Sequence, residues 1–88
     1  MSSYHLKIAT PDGARFDGEA ERLILRAAQG DLAVLARHAP LMTTVRAGRV
    51  RIALPDGTEK AARTTGGLLT VGAAETVALL AGFEWEEE

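Results

Sequence analysis

The chain is 88 residues long, enough for one domain and close to the size below which a hydrophobic core no longer holds a fold unaided. Hydrophobic residues at 47% and charged residues at 25% are globular proportions and exclude a disordered or fibrous chain. With no cysteine, a formal charge of −2 and no apolar run near the roughly 18 residues of a membrane span, disulfides, thiolate chemistry and a spanning helix are excluded, and a cytosolic setting is expected.

Tyr4-His5-Leu6-Lys7-Ile8 alternates with period two, which puts Tyr4, Leu6 and Ile8 on one face of a half-buried strand and His5 and Lys7 on the other. Pro11-Asp12-Gly13 then reverses the chain, since proline presets its backbone angle, Asp bonds the local backbone and glycine accepts a left-handed conformation. Arg15 to Gly18 and Ala20 to Arg26 read as two strands with a kink, the second with Leu23 and Leu25 opposite Arg22, Ile24 and Arg26. After a turn at Ala28-Gln29-Gly30-Asp31, the short apolar run Leu32 to Leu35 reads as a buried strand. At His38-Ala39-Pro40 the proline ring crowds Ala39 out of the helical region, so a corner follows.

Arg49 to Leu54 is the clearest alternation, with Val50, Ile52 and Leu54 inward, and it enters a second Pro55-Asp56-Gly57 turn whose return arm is Thr58 to Thr64. Gly66-Gly67 breaks the pattern, permitting a bulge or close backbone packing, before strands over Leu68 to Val71 and Thr76 to Leu80. Phe83-Glu84-Trp85 reads as a frayed edge, or with Phe83 tucked against the core. This rhythm predicts an all-β fold, a two-sheet β-sandwich or flattened barrel of roughly eight to ten short strands, filling residues 1–88 as a single domain.

Chemistry is sparse. The serines, Ser2 and Ser3, lack a positioned base, His5 and His38 are not at a metal-ligand spacing, and Asp17, Glu19 and Glu21 alternate along an exposed edge. Gly66-Gly67 is followed by a strand where a phosphate loop needs a helix start. Catalytic residues, metal ligands, a nucleotide site and cofactors are therefore all expected to be absent. Between Leu32 and Pro55 there is no acidic residue, while Arg37, Arg46, Arg49 and Arg51 fall there. A small β-barrel binding single-stranded nucleic acid is the alternative that this basic stretch supports, although Tyr4, Phe16, Phe83 and Trp85, the whole aromatic supply, lie outside it.

Several segments together resemble the N-terminal β-sandwich of the epsilon subunit of F-type ATP synthases. They are Tyr4-His5-Leu6, Phe16-Asp17-Gly18, Gly30-Asp31-Leu32, His38-Ala39-Pro40-Leu41 with Thr43, Gly48-x-Val50-x-Ile52 and Gly66-Gly67-x-Leu69-x-Val71, in the family's order and covering almost the whole chain. The resemblance implies a non-catalytic rotor subunit of the central stalk, coupling the gamma subunit to the c ring for proton- or sodium-driven ATP synthesis. It implies a peripheral location on the cytoplasmic face of a bacterial inner membrane. It carries the c-ring contact to Gln29, Gly30 and Asp31, and the gamma contact to Thr10, His38, Ala39, Pro40, Leu41, Met42 and Thr43.

Two departures stand out: Ala36-Arg37 replaces the family's usual Pro-Gly before the histidine, and Ala33 replaces a glycine. Most family members also continue into a two-helix C-terminal domain. Since the sequence stops at Glu88, autoinhibition through such helices and their nucleotide site are not expected in it.

Overall fold

A computed structural model describes residues 2–86 and contains eight strands. In chain order they are β1 (Tyr4–Thr10), β2 (Gly13–Ala20), β3 (Arg22–Ala27), β4 (Gly30–Leu35), β5 (Leu41–Val45), β6 (Gly48–Ala53), β7 (Glu59–Val71) and β8 (Glu75–Trp85). Tight turns join β1 to β2 at Pro11-Asp12, and β3 to β4 at Ala28-Gln29. The β6–β7 turn is locked by Asp56, whose carboxylate accepts from the Thr58 amide at 2.9 Å and hydroxyl at 2.6 Å. Those two bonds hold the Asp56 carboxyl below its ordinary range.

The strands form two layers that share β7 and β8. One layer runs β2-β1-β8-β7-β5, and the other continues from the opposite halves of β8 and β7 through β6 and β3 to β4. Pairing is antiparallel except between β1 and β8, which run parallel over His5–Ala9 and Glu75–Leu79. The core between the layers is aliphatic, with Leu6, Ile8, Leu23, Leu25, Val34, Val50, Ile52 and Leu69 fully enclosed. Tyr4 reaches across it and donates its hydroxyl to the Val34 carbonyl at 2.8 Å, which ties β1 to β4. Burial pushes the Tyr4 phenol up, so it stays protonated as that donor.

Period-two alternation fails at one level, and the failure builds the sandwich. In β7, Ala62 and Thr64 face inward, whereas beyond Gly66-Gly67 the inward residues are Leu69 and Val71. In β8 the parity likewise changes, from Thr76, Ala78 and Leu80 to Phe83. Register breaks between Thr64 and Gly67 set Thr65 on one strand and Ala81 on the other outside the pairing. Each extra residue inverts the facing of its strand, so both strands cross from one layer to the other together. Glycine is required there because a side chain on Gly67 would overlap the Leu79 carbonyl oxygen, and one on Gly66 would stand 2.8 Å from the Val45 carbonyl oxygen.

Three expectations are corrected. β7 and β8, at 13 and 11 residues, are long strands, and Gly66-Gly67 bends β7 without ending it. Leu32 to Leu35 lies in an edge strand, where Val34 alone is fully enclosed and Leu35 is 53% exposed. Ala20 closes β2, which runs on through Gly18, and Glu21 separates it from β3. Of the two readings of the C-terminal segment, the one with Phe83 against the core holds: Phe83 is buried and packs edge-on against Trp85 at 4.9 Å.

Candidate protein-binding surface

The outer face of the β2-β1-β8-β7-β5 layer is divided by chemistry. Along its β1–β2 side, His5 Nε2 lies 2.6 Å from Asp17 and 3.5 Å from Glu75, with Glu19 beside its other ring nitrogen. Along its β7–β5 side large apolar residues stand among threonines. Register aligns Thr44, Leu68, Leu79 and Ala9 in one cross-strand row, and Met42, Thr70, Val77 and Lys7 in the next. Met42 is 70% exposed, Leu79 56% and Leu68 49%, a contiguous patch of large apolar side chains in water. Beside it Ala9, Thr10, Pro11, Leu68, Leu79 and Ala81 line an open groove of about 440 Å³.

The residues to which the resemblance assigned a gamma contact separate in space. Met42 lies on the apolar face and Thr10 on its groove, whereas Thr43 is buried and Leu41 packs against the core. His38, Ala39 and Pro40 line a different cleft of about 270 Å³ with Tyr4, Leu35 and Glu75, and His38 Nδ1 donates to the Ala39 carbonyl at 2.7 Å. Gln29, Gly30 and Asp31 sit together at the tip of the β3–β4 hairpin, exposed to solvent. Leu68 and Leu79 were missed in the sequence, but a signal was present. Leu68-Leu69 and Leu79-Leu80 are adjacent pairs within strands, and neighbouring strand residues point to opposite faces, so one leucine of each pair must face out.

Half of the basic stretch, Arg49 and Arg51, is held in ion pairs. Arg51 and Arg22 both bind Glu59, and Arg49 and Arg63 both bind Glu86, at 3.1 to 3.3 Å. Hydrogen bonds from Arg51 and then Arg22 hold the Glu59 carboxyl below its ordinary range. Trp85 is likewise occupied, with Phe16 and Phe83 at its edges and Lys60 Nζ 5.0 Å over its ring, so it offers no open stacking platform for a base.

Residues 3–86 match the family described as ATP synthase, Delta/Epsilon chain, beta-sandwich domain. A sodium-ion-specific ATP synthase epsilon chain of Acetobacterium woodii is 40% identical over 98% of this chain and 65% of its own length. An ATP synthase epsilon chain of Alkalilimnicola ehrlichii is 38% identical over 81% of this chain and 51% of its own. The chain thus spans about half to two thirds of the length of the curated relatives it matches. Among solved structures, a chain of the Euglena gracilis mitochondrial ATP synthase, in an OSCP/F1/c-ring complex, superposes with a TM-score of 0.89 over 97% of this chain and 54% of its own, at 15% identity. A chain of the Tetrahymena thermophila mitochondrial ATP synthase central stalk and c-ring superposes with a TM-score of 0.78 over 94% of this chain and 66% of its own, at 12% identity, so both share the fold. The match over nearly every residue and the identity to epsilon chains establish that this chain belongs to the β-sandwich domain family of ATP synthase delta and epsilon chains.

Proposed function

We propose that the chain serves as a non-catalytic element of an ATP synthase central stalk, joining the gamma subunit to the c ring so that ring rotation and catalytic turnover stay linked. The observation that carries this reading is the exposed apolar face of Met42, Leu68 and Leu79. Large apolar side chains held in water on a rigid sheet favour a permanent protein partner, and a row of rigid strands presents them without an ordering cost. Gamma is the partner assigned to that face, and the Gln29 to Asp31 hairpin tip is assigned to the c ring. The tip is polar and exposed, as a contact with polar ring loops requires. The relatives' names and the assemblies of the two structural neighbours support the central-stalk reading. The coupled ion is proton or sodium, and the working location is the inner face of a bacterial membrane.

Capture of cognate gamma by the purified chain tests the reading. Met42→Glu and Leu79→Glu are each expected to weaken capture by at least roughly tenfold, because each desolvates a charge at the centre of an apolar contact. Their thermal midpoints should stay near wild type, since both side chains are already in solvent. Undiminished gamma capture by the double variant would refute the assignment.

A further inference from the structure

At the end of the sandwich where β3 turns into β4 and β5 leads to β6, a polar cleft of about 690 Å³ is lined by Arg26, Ala27, Gly30, Asp31, Arg46 and Ala47. Its walls are set by backbone pairing. Arg26 stands opposite Asp31 and Ala27 opposite Val45, while the Arg46 amide donates to the Arg26 carbonyl at 2.7 Å. The stem of Arg26 lies over Gly48, where an added Cβ would stand 2.8 Å from the arginine Cδ. Both arginines therefore start from fixed positions beside one cleft.

The charge there is not balanced internally. Arg22, Arg49, Arg51 and Arg63 all share close carboxylates, but among the described residues Arg26 has only Asp31 at 3.8 Å, with side chains 65% and 76% exposed. Arg46 has no ion pair among the described residues. An ion pair as long and as solvated as Arg26–Asp31 contributes little and is readily re-partnered.

We infer that this cleft seats a protein loop carrying a carboxylate, which Arg26 and Arg46 grip together, while Asp31 turns to a basic group on the same loop. The inference rests on the reading that this end meets the c ring, and it names the loop chemistry required there: an acid close to a base. A guanidinium pair suits a planar carboxylate, which each can hold through paired N–H donors. A multiply charged anion such as phosphate would face Asp31 at the same cleft, whereas an acid-and-base loop satisfies all three charges at once.

The test uses the chain bound to cognate gamma, with purified cognate ring as the probe. Arg46→Glu is expected to weaken ring capture by about tenfold at low salt, with Arg46→Gln intermediate and the difference shrinking as salt rises. Gamma capture and thermal midpoint should not change. Exchanging the ring loop's acid for lysine should restore capture by Arg46→Glu. Wild-type ring capture by Arg46→Glu, alongside loss in Asp31→Lys, overturns the carboxylate seat and leaves the ring contact standing. If removing the chain leaves ring capture by gamma unchanged, the ring contact falls and the seat with it.

Discussion

Arg37 shows how one residue records a mismatch between side chain and backbone. It is the one non-glycine residue with a positive φ, at 67°, among those described, in the turn where the His38 amide donates to the Leu35 carbonyl at 3.1 Å. The third position of such a turn favours glycine, because a Cβ in left-handed conformation crowds its own carbonyl at a cost of about 1–2 kcal/mol. The motif comparison had marked this position as one where the family usually has glycine, and the backbone gives the reason. Arg37→Gly relieves the crowding but frees the unfolded chain, which offsets about 0.4–1 kcal/mol. The expected net gain is therefore about 0.5–1 kcal/mol, measured by urea denaturation with an unchanged slope.

At the scale of elements, β7 and β8 decide the architecture because each serves both layers. Their crossing depends on the close approach of Gly67 to β8, so Gly67→Ala is expected to cost about 3 kcal/mol and to lower the thermal midpoint by more than about 10 °C. Gly18→Ala is the matched control, since a Cβ there meets only ordinary contacts with the Phe16 ring at 3.8 Å. Equal midpoints for the two variants would contradict this account.

The same strands explain what was legible beforehand. The alternation of β1 and β6 and the two Pro-Asp-Gly turns were readable because they depend on neighbours in sequence, and the bulge at the glycine pair was anticipated from glycine's backbone freedom. The continuity of β7 was not readable, since glycines that end a strand and glycines that bend one look alike until the partner strand is known. The edge status of β4 was hidden for a related reason: an apolar run gives no sign of whether a second neighbour will cover it. The β3–β4 turn was readable, although it is confined to Ala28-Gln29 with Asp31 already in β4, whereas the apolar face required the cross-strand register that aligns Leu68 with Leu79.

For the whole molecule, shared strands leave no half able to unfold alone. Leu23 and Leu25 from one layer and Leu6 and Ile8 from the other meet in one core, within overall dimensions of 30 × 30 × 24 Å. Unfolding is expected to be a single transition, with Trp85 fluorescence and far-ultraviolet circular dichroism tracing the same midpoint. Separate midpoints would mean that the layers are independent. The contacts are also mostly between residues distant in sequence, a topology that folds slowly for its size.

The parallel match of β1 with β8 has a further consequence during synthesis. Within this domain β1 is made long before its central neighbour Glu75–Leu79, so a nascent chain holds the β1–β2 hairpin without a sheet to join until nearly the whole domain has emerged. The row of Ala9, Leu79, Leu68 and Thr44 is incomplete in any product that ends before Leu79. A product that stops before Leu79 therefore presents no finished apolar face to a partner.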